Sequence, residues 1–479
     1  DDGLRITTST HPAVGDIDGD GLPEILCGAP GRFVRVFEHD GTFKWDSEVG
    51  NLVSGYEGIT LANLDAPGVD PLPEIIVGDT VLNRDGTVRW DQSQSPNLFR
   101  ISIPVDYDLD GDVEIVAPPQ VYDSTGAVEL TLGGSYPAVG DFDDDDFAEI
   151  VSVGDGIVNL YDDDGSLVWS VPIPGGGVGG PPTVADFDND GAPEVGVVGA
   201  TQYIVIDGTG GDAGTILWQR TVSDTSSNRT GSSVFDFEGD GFADVVYRDQ
   251  FVLYLFDGAT GADKAAPIPA SSCTWTEYVN VADVDADGHA EIVAVANNNC
   301  GFGPQRGVFI FENANDDWVN TRRVWNQHAY SITNVNDDLT IPEVAERNWL
   351  FPADDPFNNF RQNLPSSGAD PLALGDLTAS LPRVTLCDCA TTAEVTVRIG
   401  NGGAATADLS IGVHVYDATG NPADGPVGAV MITPNIEPGE FVDVEVPLST
   451  PVPGDRPLIV VADAGTATLG DIQSRLDDC

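Results

Sequence analysis

Short apolar runs separated by glycine, proline and aspartate fill the first 320 residues, and they alternate apolar with polar positions rather than following a helical period. In the first such block, strands are predicted over 12–15, 24–28, 33–38 and 42–45. The link between the first two is a polar loop, Asp-x-Asp-x-Asp-Gly-x-x-Glu. The link between the last two is an Asp-Gly turn, a hairpin signal when flanked by alternating apolar residues.

This block recurs. The acidic loop begins at Asp16, Asn63, Asp106, Asp141, Asp186, Asp236 and Asp283. The spacing suits four short strands and their turns, about 40 to 50 residues, which is the length of a propeller blade. A second signal runs in phase with it, as Asp40-Gly-Thr-Phe-Lys-Trp45, Asp85-Gly-Thr-Val-Arg-Trp90, Asp164-Gly-Ser-Leu-Val-Trp169 and a looser form from Asp207 to Trp218. Each unit therefore reads as strand, acidic loop, strand, strand, hairpin turn, strand.

Over roughly residues 10 to 320 the sequence resembles the FG-GAP or VCBS-type repeat proteins, calcium-loop propellers related to integrin α-subunit heads. The resemblance implies an all-β fold, a seven-bladed β-propeller over residues 1–320 with a calcium loop between the first two strands of each blade. In the first loop it implies that Asp16, Asp18 and Asp20 point inward, Gly21 permits the turn, the Leu22 carbonyl adds an oxygen and Glu24 closes the site. The corresponding sets are Asn63, Asp65, Asp70 and Glu74; Asp106, Asp108, Asp110 and Glu114; Asp141, Asp143, Asp145 and Glu149; Asp186, Asp188, Asp190 and Glu194; Asp236, Glu238, Asp240 and Asp244; and Asp283, Asp285, Asp287 and Glu291. Calcium takes six to eight oxygens, and carboxylates gathered without a cation repel, so up to seven calcium ions are expected, coupled to folding. The copies are unequal. The loop at 141 has Asp146 in place of glycine, and the loop at 63 starts with Asn and holds three extra residues, so it is expected to be the weakest site. The alternative is that the loops are solvated turns, and metal in them is expected to brace the fold rather than form an active site.

Charge narrows the partners. With 78 acidic against 20 basic side chains, the formal charge of -58 disfavours nucleic acid and anionic membrane surfaces. Lys44 and Lys264 are the chain's two lysines. No stretch approaches the roughly 20 apolar residues of a membrane helix. Six cysteines permit disulfides and suit an extracellular setting. Cys273 and Cys300 lie almost symmetrically about the loop at 283–291, which predicts a bridge between them. Cys389 or Cys387 is expected to pair with Cys479, and Cys27, in an apolar run, reads as a buried thiol.

Residues 321–369, rich in Trp, Asn and Arg, break the repeat and read as a packed connector. His328, in Trp325-Asn-Gln-His-Ala-Tyr330, reads either as packing or as part of a polar pocket. From about residue 370 the pattern changes to longer alternating strands near 394–399, 411–416, 441–446 and 458–462, which predict an immunoglobulin-like β-sandwich over 370–479. Here the run from Val395 to Gly403 resembles CARDB-type adhesion modules. The sequon at Asn228 marks either a surface glycan or an unmodified polar loop. No catalytic set stands at recognisable spacing.

The expected function is a secreted, non-enzymatic, calcium-binding structural or adhesive protein, with a protein or glycan partner at the cell surface and an extension to self-assembly into a fibre. A glycan-binding lectin is the second expectation. An enzyme with a site in the propeller channel is the third.

Overall fold

The computed structural model describes residues 5–7, 10–50, 52, 57–92, 101–143, 145–209, 213–285, 287–314, 317–351, 357–365, 377–385, 393–401, 411–417, 426–433, 436, 441–448 and 458–463. Among these residues all regular structure is β-strand. The chain divides into two units, one of Asp1–Ala282, Ala290–Trp318 and Val324–Pro365, the other of Asp283–His289, Val319–Arg323 and Ser366–Cys479.

The repeat yields a propeller-like series of antiparallel meanders. The first sheet is Ala13–Gly15, Glu24–Ala29, Phe33–Phe37 and Phe43–Asp46, in chain order. The next five are also four-stranded. They start at Ile59–Ala62, Ile103–Val105, Tyr136–Gly140, Thr183–Ala185 and Ser232–Phe235. The seventh has three strands among the described residues, Asn280–Ala282, Glu291–Ala296 and Gly307–Phe311.

Burial explains why each strand has its composition. The second strands carry short apolar runs, Glu-Ile-Ile-Val from Glu74 and Glu-Val-Gly-Val-Val from Glu194, and both are buried along their whole length. Fourth strands alternate, with Trp169 and Val171 buried between exposed neighbours in Leu167–Pro172. Apolar clusters then link successive sheets. One joins residues of the third, fourth and fifth, from Ile103 through Val151 to Val197, and another joins the fifth and sixth through Phe187, Tyr203 and Phe256.

The hairpin turns dock each sheet on the next. Gly86, Gly126, Gly214 and Gly261 all have left-handed φ values, from 67° to 87°. A Cβ on Gly86 would lie 2.8 Å from the Trp45 ring, and one on Gly126 would lie 2.7 Å from Trp90, so the turn glycine serves the neighbouring indole as well as the turn. The Trp90 Nε1–H donates to the Ser124 carbonyl and the Trp169 Nε1–H to the Gly208 carbonyl, both at 3.1 Å. The in-phase Asp-Gly and tryptophan signals are thus two halves of one contact between sheets.

Residues 324–365 touch the first strands of six sheets. Asn326 accepts from the Val14 N–H at 2.9 Å, Gln327 Oε1 from the Leu61 N–H at 2.7 Å, and Phe360 pairs with Val184. Gln362 bridges to Val234, Arg361 donates to the carbonyls of Pro137 and Pro182, and Asn363 donates to the Val281 carbonyl at 3.1 Å. Arg361 is fully buried. The start of the chain meets the same region. His11 Nε2 lies 2.9 Å from Thr276 Oγ1, just ahead of the seventh sheet, and the His11 and His328 rings are 4.3 Å apart.

In the second unit, six strands make one antiparallel sheet: Leu377–Thr385, Ala393–Asn401, Phe441–Leu448, Gly428–Ile432, Ile411–Asp417 and Leu458–Asp463, in that spatial order. The single pair Gly428 with Leu448 joins its two three-stranded halves. Val395, Val397 and Val446 from one half and Val413 and Val415 from the other share a buried cluster. Where two separate sheets were expected, the described strands of this unit form one hydrogen-bonded sheet.

Candidate metal loops

Each acidic loop is shaped by its own backbone hydrogen bonds. The loop opens on a buried or half-buried aspartate whose carboxylate caps the N–H groups that follow. Asp16 accepts from Gly19 at 2.7 Å and Gly21 at 2.9 Å, Asp186 from Asp190 and Gly191, and Asp236 from Gly239, Asp240 and Gly241. It closes on a buried glutamate that starts the second strand, and one oxygen of that glutamate accepts from the second loop residue. Ile17 donates to Glu24 at 2.9 Å, Leu64 to Glu74 at 2.9 Å, Tyr107 to Glu114 at 3.3 Å and Phe187 to Glu194 at 2.7 Å; Phe142 donates to Glu149. The other oxygen is held by Lys44 in Glu24 and by Arg89 in Glu74.

Within the first unit, four loops bring three carboxylate oxygens within 4.8 Å of one another: Asp16, Asp18 and Glu24; Asp106, Asp108 and Glu114; Asp141, Asp143 and Glu149; and Asp186, Asp188 and Glu194. The third aspartates stand outside these triplets. Asp20, Asp110, Asp145, Asp190, Asp240 and Asp287 each accept from the N–H two residues on, an Asx turn that commits an oxygen to the backbone. At 63, Asn63 Oδ1 accepts from Asp65 at 2.9 Å while Asp70 is paired with Arg84. At 236, Asp244 replaces the longer glutamate and its Oδ2 meets Lys264 Nζ at 2.6 Å. Asp283 and Asp285 belong to the second unit and Glu291 to the first; Arg323 Nε stands 3.8 Å from Asp283 Oδ2.

The electrostatics of the converging loops are those of crowded anions. Burial, helped by the neighbouring aspartates, pushes Glu114 and Glu194 up to about 9 and Glu149 up to about 8. Glu149 is 1% exposed, and its Oε1 has no hydrogen-bond partner; Asp188 Oδ1 is likewise buried and unpartnered. A buried carboxylate oxygen without a donor is costly, and a hard cation with an affinity for oxygen would satisfy it. The triplets at 141 and 186 therefore fit a metal of the calcium type.

The sequence signal missed the partners of these loops. Lys44 Nζ contacts Asp18 at 2.6 Å, Glu24 at 3.0 Å and Glu38 at 3.1 Å, while Arg89 contacts Asp65 at 2.9 Å and Glu74 at 2.8 Å. Those residues lie some 20 positions downstream of the loops they touch. What marks them is a constant offset, three residues after the turn glycine.

The other candidate residues are also placed. Cys273 and Cys300 are joined in a disulfide, with Cα atoms 5.3 Å apart. Cys387, Cys389 and Cys479 lie outside the described residues. Cys27 is a buried free thiol, which burial pushes up to about 11. Asn228 is half-buried and its Oδ1 accepts from the Val178 N–H at 2.9 Å. His328 is buried with Nε2 on the Thr276 carbonyl, so that nitrogen carries the proton.

Two stretches of the chain match known repeats. An FG-GAP repeat matches residues 10–42, and an FG-GAP-like repeat matches residues 236–294. The chain carries FG-GAP repeats. Among solved structures it is similar to the V. cholerae biofilm matrix protein Bap1, with a TM-score of 0.62 and 21% identity over 74% of this chain and 85% of that one. Weaker likenesses are to BBS1N in complex with ARL6DN (TM-score 0.37, 10% identity, 61% of this chain and 90% of that one) and to the rhamnogalacturonan lyase YesX (TM-score 0.36, 14% identity, 62% and 71%). No curated protein matches the sequence. The FG-GAP match at 10–42 takes in the acidic loop at 16, its closing Glu24 and the turn glycine Gly41.

Proposed function

We propose that the protein is an extracellular, calcium-braced structural or adhesive protein, a seven-bladed propeller followed by an immunoglobulin-like module, and not an enzyme. The observation that carries the calcium reading is the unpartnered Glu149 Oε1 inside a triplet of carboxylates that repeats from sheet to sheet. The likeness to a biofilm matrix protein supports the extracellular setting and the structural role. So does a net charge of -58, which a calcium-containing medium would partly neutralise. The partner is a protein or glycan of the cell surface, and the extension of this reading is a self-assembling fibre.

Thermal unfolding tests the metal. Chelation with EGTA should lower the melting temperature and added calcium should restore it, each saturated site contributing about 2.7 kcal/mol at a calcium concentration 100 times its Kd. An unchanged melting temperature would refute the calcium reading. Fractionation of the producing cells tests the location, since recovery from the cytoplasm alone would refute it. Electron microscopy in calcium tests the fibre, and particles that stay single at high concentration would remove it.

A second reading, a glycan-binding lectin, is favoured by one cavity. It has a volume of about 570 Å³ and is lined by Asp141, Asp186, Asp236, Asn358, Asn359 and Gln362, among others. Gln362 is 1% exposed and both its amide atoms lack partners, a donor and acceptor set suited to hydroxyl groups. Silence on a glycan array in calcium buffer would exclude it.

A further inference from the structure

In the first five sheets the ladder between the third and fourth strands skips one residue. Val36 opposes Trp45 and Phe37 opposes Phe43, which leaves Lys44 out of register. The same shift leaves out Arg89 between Val88 and Trp90, Glu129 between Val128 and Leu130, Val168 between Leu167 and Trp169, and Leu217 between Ile216 and Trp218. In the sixth sheet, Lys264 holds the corresponding place. It follows Asp263, which bridges Phe256, and its N–H donates to Leu255. Each of the six stands three residues after its turn glycine: Gly41, Gly86, Gly126, Gly165, Gly214 and Gly261. A bulge re-aims a side chain, and wherever this one is basic it meets the acidic loop of its own sheet.

The six positions differ in charge. Lys44 holds Asp18 and Glu24, Arg89 holds Asp65 and Glu74, and Lys264 holds Glu238 and Asp244. Both lysines of the chain are used here. Val168 and Leu217 bring no charge, and it is in their sheets that Glu149 Oε1 and Asp188 Oδ1 are buried without partners. Glu129 puts a carboxylate at the bulge position that Lys44 and Arg89 fill in the first two sheets. An ammonium or guanidinium at about 3 Å performs the neutralisation that a metal would otherwise perform.

We propose that this bulge residue decides which FG-GAP loops require a metal: the loops at 16, 63 and 236 are neutralised internally by Lys44, Arg89 and Lys264 and take no calcium, whereas those at 106, 141 and 186 each take one ion. The proposal rests on the calcium reading above and divides its sites. Calcium counted by equilibrium dialysis on the full chain is the test. Asp108→Asn, Asp143→Asn and Asp188→Asn should each lower the count by one, while Asp18→Asn, Asp65→Asn and Glu238→Gln should leave it unchanged. A loss of one ion in any of the latter three overturns the proposal and leaves the calcium reading standing. A wild-type protein that binds no calcium overturns both. Hydrogen exchange on the wild type avoids any folding defect of the variants. EGTA should speed exchange at the Tyr107, Phe142 and Phe187 amides at least tenfold and leave Ile17 and Leu64 unchanged; equal acceleration in both sets overturns the proposal.

Discussion

At the scale of single residues, two positions run against local preference and each makes a prediction. Asp146 stands where the loops at 16, 106, 186, 236 and 283 have glycine, with a φ of 74°. Its carbonyl accepts from Trp349 Nε1 at 2.9 Å, and glycine would keep that bond. Asp146→Gly should therefore stabilise the protein by about 1 kcal/mol in chemical denaturation, the cost of a left-handed conformation for a side chain. The second position is the histidine pair, half-buried His11 and buried His328. Burial, with Arg361 nearby, lowers His11 to about 4, and burial, then His11 and Arg361, hold His328 well below its ordinary value. A base depressed in the folded state contributes stability above its unfolded value of about 6.5. That contribution is lost as pH falls towards 4, so the melting temperature should drop over this range, and His11→Gln should shrink the drop. Asp146 and the uneven loops could be read directly from the sequence. The histidine pair could not, because His11 and His328 are brought together only by the folded chain.

Among elements, the hairpin turn and the preceding sheet's last strand act as a pair. Trp169 is buried, packs against Gly214 and donates to Gly208. Trp169→Ala removes that packing and leaves the carbonyl unmatched, and should cost about 3–5 kcal/mol in chemical denaturation. The Cys273–Cys300 bridge closes a separation of 27 residues. Its reduction should cost about 3–4 kcal/mol on the chain-entropy model, seen as a lower melting temperature in reductant. The sequence displayed these elements well, because an acidic loop and an Asp-Gly turn each depend on near neighbours. It displayed their chemistry less well. The contact of Lys44 with Asp18 spans 26 positions and that of Lys264 with Asp244 spans 20, so a motif read within nine residues omits the cation that completes it. The loop at 236 shows the cost, since its ligand pattern reads as intact while Asp244 is held by Lys264.

For the whole molecule, the period of the repeat was enough to predict seven successive sheets, and the change of pattern near residue 370 marked a second kind of strand. Residues 321–369 read as a packed connector, but which strands residues 324–365 meet was not legible. Their contacts reach back 312 positions from Asn326 to Val14 and 224 from Arg361 to Pro137, distances over which no local pattern carries information. Those contacts also set an order of events during synthesis. The first sheets leave the ribosome with the Val14 and Leu61 backbone groups still lacking the partners that arrive with Asn326 and Gln327. Contacts of such separation are slow to form. The repeats would thus wait, assembled but unpinned, for a segment made after them, and a chain stopped before residue 324 should be cut by protease far faster than the full one.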